Sequence, residues 1–577
     1  MTCSVLPEPH KGTRTRSALS AIPGTLLVAV GAGWVYLATG SAGIGVTPDS
    51  VTYISVAENL MRGSGMFDFY ARPVTEFPPG YPVLLAIVAR LTTVSPHEAA
   101  RLVSAVSLGL TVLVVWNVVA RLTRCAPLAL VASLLTVAGR PHSIVHAMAW
   151  SEPATITLTA VALGALGQVL ARDRAGEGVP VAYVALATLA CGAACLMRYA
   201  SVVLVISGVL AMLLGLRPGR PRILVLLVFA ITSLLPVSLW CLRNFLTDGT
   251  AMGGRMASTI PYQESVTDAA ATLGAWLIPT DLHAGPRRSL VLGLVAVILL
   301  SLTHRRIHMA HGRSATHVLG LPPLAFVSAI YVLLYLAFVV ATASMVAYGR
   351  PDDKYLAPVL VGIIFYACAT MGSVRSSPVW GPRSAFVMGC AVAALGIASV
   401  GHLLSVTREY RASGPPGLAY CTEHKKELLR VAVMVAGDPD SVMMTNDPYG
   451  LWWHTRIVAR SAPRARYRAE TTHEVPQTER YREVDTLLEQ GRRVFLVWFA
   501  QSDYFVRPEH WSREVADLRG ITENSGGGVY ELVRTRRDRS AAPRASLGRT
   551  GFPRRTRCGQ ACLVSRSNVP TPIGQGM

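Results

Sequence analysis

Two acids and four cations in this sequence have the types and places that group transfer requires. Asp49 lies in Thr47-Pro48-Asp49-Ser50 and Glu152 in Trp150-Ser151-Glu152-Pro153, each at the start of a helical segment. Arg198, Arg243, Arg350 and Lys354 fall at the ends of apolar runs. Transfer of a group to a hydroxyl with an anion leaving needs a base to take the acceptor proton and cations to stabilise the charge that leaves. Asp49 suits the first role, with Glu152 as a substrate or metal ligand, and the four cations suit the second. Each group also has an ordinary explanation. An acid opening a helix is a cap, and a cation at a span end snorkels to the interface or pairs with Asp352 or Asp353.

Other residues widen the candidate site. His142 and His146 lie four apart before Glu152, which places both imidazoles on one helical face. With Asp49 and Glu152 they make a weak candidate site for a divalent cation, Mg or Mn; no HExxH pattern is present, and interfacial histidines are more commonly just polar loop residues. The segment Glu76-Phe77-Pro78-Pro79-Gly80-Tyr81-Pro82 is a rigid turn, because proline fixes φ and discourages helix in the residue before it. The prolines are structural, whereas Glu76 beside them is a candidate for work near a lipid headgroup. Tyr449, Trp452 and Trp453 offer rings that stack on sugars, or else a core or membrane-facing cluster. No phosphate-cradling glycine loop is visible, so no nucleotide cofactor is expected.

The elements that must carry these residues are mostly membrane helices. Of 577 residues 51% are hydrophobic and 15% charged, with mean hydropathy +0.40, which excludes a purely soluble or disordered chain. A helix crossing about 30 Å of hydrocarbon needs about 20 apolar residues. Eleven such runs occur, near 21–40, 100–120, 125–141, 152–171, 179–197, 199–216, 222–241, 288–303, 319–344, 355–372 and 384–406. With residues 1–20 cytoplasmic, the inner loops collect 15 basic residues against three acids, while the other side up to residue 405 holds 12 of each. That asymmetry fixes the orientation. Two outer segments, 41–99 and 243–287, are too long to be turns. Within the first, Val51 to Met61 reads as a short helix and Tyr81 to Val94 as an apolar stretch lying along the outer interface.

An odd number of spans leaves everything after residue 406 outside. Residues 407–533 read as a small extracytoplasmic α/β domain. Helices are expected near 422–436, 478–490 and 508–518, with strands at Val442–Thr445, Val494–Phe499 and Val529–Val533. Residues 534–577 carry ten Arg and one Asp, nearly half of the net charge of +20, and read as a disordered basic tail. Its outer placement disfavours nucleic acid as a partner. Ten cysteines are scattered without metal-ligand spacing.

In this order and on this membrane side, the motifs resemble the GT-C membrane glycosyltransferases, in particular the protein O-mannosyltransferase and aminoarabinose transferase branch. The resemblance rests on Pro48-Asp49-Ser50 with Tyr53 and Glu58-Asn59-Leu60, Phe77-Pro78-Pro79-Gly80-Tyr81-Pro82 and Ser151-Glu152-Pro153. It rests also on Arg198-Tyr199, Trp240 with Arg243-Asn244, and Lys354-Tyr355-Leu356-Ala357-Pro358. It implies an inverting transferase that takes a sugar from a polyprenyl-phosphate carrier on the outer face and passes it to a cell-envelope glycan, lipid or protein. Asp49 would be the catalytic aspartate and Glu152 the second acid. Arg198, Arg243, Arg350, Lys354 and Tyr355 would serve the donor phosphate, and Tyr53, Glu76 and Tyr81 would belong to the substrate loop. One departure is Lys354, where the family commonly has Arg; phosphate pairing survives, but the bidentate fork is lost. Richness in Ala, Val and Arg without a glycosylation sequon is compatible with a bacterial inner membrane. The competing readings are a transporter or flippase of a lipid-linked glycan, and a non-catalytic envelope-binding membrane protein.

Overall fold

The computed structural model describes residues 13–40, 42–277, 321–375, 382–418, 423–465, 475–500 and 505–534. Helices occupy every segment read above as a span except 288–303, which lies outside the described residues together with the basic tail. In chain order they are α1 Thr13–Thr39, α2 Pro48–Met61, α3 Gly80–Thr92, α4 Pro96–Thr123, α5 Ala126–Ala138, α6 Arg140–Val145 and α7 Glu152–Ala175. There follow α8 Val181–Met197, α9 Val202–Gly215, α10 Arg220–Asp248, α11 Tyr262–Leu277, α12 Pro323–Met345, α13 Asp353–Arg375 and α14 Pro382–Ser413. Among the described residues, five stretches are long and apolar enough to cross a membrane: Pro96–Thr123, Glu152–Ala175, Arg222–Asp248, Pro323–Met345 and Asp353–Gly372. The chain is a mostly helical membrane protein.

Packing follows from which faces are apolar. In lipid the backbone must satisfy its own hydrogen bonds, so these segments are helical whatever their intrinsic propensity. α7 stands at the centre, buried nearly all round against α4, α8 and α12; α1 packs on α4, and α13 on α12. α10 is peripheral. Ile223, Leu227, Ile231, Leu235, Leu239 and Leu242 form an exposed stripe at three- and four-residue spacing, the face a helix turns to lipid. Short helices α2 and α3 lie in the first long loop, as the sequence pattern predicts, and α2 is buried along Val51, Tyr53, Ile54, Val56 and Ala57.

The C-terminal region forms a five-stranded sheet. Strands β1 Ser441–Thr445, β2 Arg460–Ser461, β3 Arg493–Phe499, β4 Ala516–Asn524 and β5 Gly527–Arg534 run in the order β2-β1-β3-β5-β4. β1 pairs in parallel with β2 and β3, whereas β3, β5 and β4 are antiparallel. Helices α15 Glu423–Ala436 and α16 Pro448–Thr455 flank β1. One expectation is corrected: the helix near 508–518 stops at Glu514, and Ala516 opens β4. Ala516 and Leu518 turn inward while Asp517 and Arg519 turn out. That period of two belongs to a strand, and the Ser525-Gly526 turn supplies β5 as its partner.

Candidate active site

The first two turns of α2 position Asp49. The backbone N–H of Thr47 donates to Ser50 Oγ at 3.0 Å, and Trp150 Nε1 donates to Thr47 Oγ1 at 2.8 Å, tying the start of α2 to the segment before α7. Asp49 is therefore spared capping duty. Its Oδ2 accepts instead from Lys354 Nζ at 2.5 Å, across 305 positions of chain. Glu152, the first residue of α7, is likewise no cap: its carboxylate pairs with the guanidinium of Arg198, and it is only 1% exposed. Arg198 sits where α8 ends, in extended backbone, and its guanidinium lies 6.0 Å from the Tyr355 ring centre.

Lys354 owes its place to the opening of α13. Asp352 Oδ1 accepts from the backbone N–H groups of Lys354 at 3.0 Å and Tyr355 at 3.2 Å, an N-cap that sets the first turn. Asp353 is held from outside by Arg140 at 3.2 Å and Trp276 Nε1 at 2.7 Å. Lys354 Nζ also lies 4.7 Å from the Trp150 ring centre, and the Tyr355 hydroxyl donates to the Tyr348 carbonyl at 2.6 Å. Burial raises the Asp352 carboxyl to about 6, against the opposing charge of Lys354 and the two N–H bonds.

These side chains face a cavity of about 270 Å³. Asp49, Arg198, Lys354 and Tyr355 line it with Tyr53 and Glu76 from the first loop, and Met197, Phe338 and Val339 give it apolar walls. Burial, then the charges of Asp49 and Glu152, raise the Tyr53 hydroxyl far above its ordinary value, so it remains a donor. Tyr81 lies behind it, its ring centre 5.1 Å from that of Tyr53, and its buried hydroxyl has no hydrogen-bond partner among the described residues.

The remaining candidates divide. Arg243 does not line the cavity; its Nη1 donates to the Val74 carbonyl at 2.8 Å and its guanidinium stacks 4.7 Å from the Trp240 ring centre. Trp240 Nε1 donates to the Phe77 carbonyl, and Asn244 Nδ2 donates to the Thr75 carbonyl and Tyr199 Oη. Trp240, Arg243 and Asn244 thus lash the Val74–Phe77 stretch to α10 and set where Glu76 stands. Arg350 is apart, on the surface, paired with Asp268 at 2.9 Å and Glu264 at 3.2 Å.

His142 and His146 are fully buried, with ring centres 5.5 Å apart, and burial lowers them to about 4 and about 3, so both are neutral at pH 7. Each Nδ1 is hydrogen-bonded to a backbone carbonyl, of Thr136 and His142 respectively. Among the described residues no three His, Cys, Asp or Glu side chains converge as a metal site. Each of the two acids is matched with a cation, Asp49 with Lys354 and Glu152 with Arg198.

Sequence reasoning passed over Arg255. It lines the cavity and donates to the Glu76 carbonyl at 2.9 Å. It stands at no span end; its signal was Gly253-Gly254 just before it. Gly253 has φ +75°, and a Cβ there would come within 2.6 Å of Glu76 Cγ, so only glycine lets this loop lie on Glu76. Tyr335 and Tyr348 also line the cavity, but Tyr335 within an apolar run reads as core.

Tyr449, Trp452 and Trp453 stack on protein. Phe69 lies 5.2 Å from Tyr449 and 5.1 Å from Trp452 between ring centres, and His97 lies 4.9 Å from Trp453. Through them α16 docks on the first loop.

No protein-family model matches the chain, and no curated protein matches it. Among solved structures it is similar to ArnT from Cupriavidus metallidurans in the apo state, at 13% identity and a TM-score of 0.54 over 89% of this chain and 98% of that one. It is also similar to the same protein bound to undecaprenyl phosphate, at 14% identity and a TM-score of 0.51 over 90% and 98%. At these identities the likeness establishes the fold.

Proposed function

We propose, from the premise that the chain carries the GT-C fold of membrane glycosyltransferases, that it moves a sugar from a polyprenyl-phosphate carrier to a cell-envelope acceptor. The observation that carries this reading is one cavity lined by two carboxylates, Asp49 and Glu76, and three cations, Arg198, Arg255 and Lys354, between apolar walls. A lipid phosphate needs that combination: cations for its head and apolar surface for its first isoprene units. The ArnT structure with undecaprenyl phosphate supports the choice of carrier.

In the proposed reaction an acceptor hydroxyl oxygen attacks the anomeric carbon from the face opposite the phosphate. The new C–O bond forms as the bond between that carbon and the phosphate oxygen breaks. Inversion follows, and the bond's electron pair leaves with the polyprenyl phosphate. Asp49 takes the hydroxyl proton, and Arg198, Arg255 and Lys354 stabilise the charge growing on the phosphate. Glu152 acts by holding Arg198 in place. No step of the proposed reaction calls on a nucleotide cofactor.

The topology that accompanies this reading has eleven spans, a cytoplasmic N-terminus, and the cavity and the α/β domain on the extracytoplasmic face of a bacterial inner membrane. Aligned outer span ends and the inner excess of arginine support it.

The test is transfer by the purified protein in lipid vesicles, supplied with radiolabelled polyprenyl-phosphate sugars and envelope acceptors. Label moving to an acceptor, competed by free polyprenyl phosphate, is the expected result. Labelled lipid crossing the bilayer with no transfer would replace this reading by that of a transporter.

A further inference from the structure

We infer that Lys354 is a latch on Asp49, one that a lipid phosphate must draw away before the carboxylate is free to act. The inference rests on the transferase reading above and adds an order to it: donor first, base second.

The two acid–cation pairs of the site differ in a way that assigns the latch to one of them. Glu152 is 1% exposed and does not line the cavity, so of that pair only Arg198 meets an incoming anion and the carboxylate stays behind it. Asp49 and Lys354 are each 13% exposed, and both line the cavity, where an incoming anion meets them directly. Among the described residues Lys354 is the one side chain hydrogen-bonded to Asp49, so when it moves, the carboxylate is open to a hydroxyl proton. While it stays, an oxygen of the base is occupied.

The local structure permits the movement. Asp352 fixes the backbone of Lys354 through the N-cap, so only the side chain has to swing. A lysine stem has four rotatable carbons, and its ammonium is a point charge that changes partners without a fork to realign. The rings of Trp150 and Tyr355, 4.7 and 5.6 Å from Nζ, offer it cation–π support off the carboxylate. Arg198 lines the same cavity and Arg255 faces it from the loop, so a phosphate seated between them presents Lys354 with a competing anion. An arginine at 354 would be able to grip Asp49 with a bidentate fork; lysine holds it by one bond.

The experiment measures binding of undecaprenyl phosphate, without sugar, to the full chain in nanodiscs. The four proteins are the wild type, Asp49→Asn, Lys354→Gln and the double variant, each first checked for an unchanged unfolding transition. With the latch, Asp49→Asn frees Lys354 and binds roughly three- to tenfold tighter than wild type. Lys354→Gln binds more weakly, and the double variant binds no tighter than Lys354→Gln. A gain from Asp49→Asn that persists in the Lys354→Gln background would mean plain repulsion between carboxylate and phosphate, and would overturn the latch. Absence of any gain would mean that Lys354 meets the phosphate without leaving Asp49, and would overturn it too. Should Asp49→Asn fail to fold, Asp49→Ser gives the same comparison. If the wild type binds no polyprenyl phosphate, the donor reading itself falls and the latch with it.

Discussion

Helix α2 has a charged and aromatic cluster at each end, and the two are built to opposite rules. At its start Asp49 faces a cavity of about 270 Å³ with Lys354, Arg198 and Tyr53. At its other end Glu58 pairs with Arg456 at 3.2 Å, the guanidinium of Arg456 lies 4.2 Å from the Trp452 ring centre, and Trp452 packs on Phe69 with 7% of its surface exposed. Residue types alone hardly distinguish them: acid, cation and aromatic ring occur in both. Room distinguishes them. The first cluster keeps space for a reactant beside its charges, whereas the second has filled its space with protein. A convergence of such residues is a site only when something is left for a ligand to do.

The sharpest way to break this contrast is to remove one group from each end. Asp49→Asn should lower the transfer rate about 10²- to 10⁴-fold, the usual contribution of a general base, with the unfolding transition retained. A loss under tenfold would make Asp49 a bystander and erase the functional side of the comparison. Trp452→Ala should do the reverse. It empties the wedge between α16 and the first loop, at a cost of about 3 kcal/mol in the unfolding transition, while transfer per folded molecule stays within about threefold. If transfer vanished with unfolding unchanged, the aromatic end would have to be counted as part of the site.

Much of this was readable from the sequence, for reasons that also mark the limit. Helix location was legible because lipid leaves the backbone no alternative, and α2 and α3 showed as apolar stretches too short to span. Asp49, Glu152, Arg198 and Lys354 stood out because a charge at a span end is costly without a purpose. Which cation meets which acid was not legible. Lys354 and Asp49 are 305 positions apart, and only packing brings them together. Arg350 was indistinguishable from Lys354 by position, yet Glu264 and Asp268 of α11 claim it at the surface. Arg243 looked like a phosphate partner because it is cationic; its neighbours Trp240 and Asn244 show that this turn of α10 braces the Val74–Phe77 stretch. Arg255 was missed because it stands in a loop, where only Gly253 betrayed a close approach. Strand β4 was missed because its first residues, Ala516 to Leu518, read as the end of the helix before it.

A smaller effect comes from Asp352, the cap of α13. Burial raises Asp352 to about 6, whereas an unfolded aspartate titrates near 3.8. The folded chain therefore holds this proton more tightly than the unfolded one, and native stability falls as pH rises from about 4 to about 6 and is level above. Asp352→Asn keeps an oxygen to accept from the N–H groups of Lys354 and Tyr355 but cannot titrate. Following the unfolding midpoint across that window should show the decline in wild type and its loss in the variant. Equal slopes would mean that Asp352 is not the group responsible.

The smallest effect tests the packed end of α2 at a strained point, Arg456. Arg456 has φ +62°, a left-handed conformation that costs a residue with a Cβ roughly 1 kcal/mol, and it is held there as the C-cap of α16, with Glu58 and Trp452 engaging its side chain. Its ion pair is half exposed on the arginine side and contributes about 0–1 kcal/mol. Arg456→Ala loses the pair and keeps the strain, so it should destabilise by about 1 kcal/mol or less. Arg456→Gly loses the same pair but also the strain, and should come out close to wild type. Unfolding transitions of the two variants side by side decide it. Glycine falling below alanine would show that relief of the left-handed strain is smaller than the chain entropy that glycine costs, and that Arg456 is not a strained point.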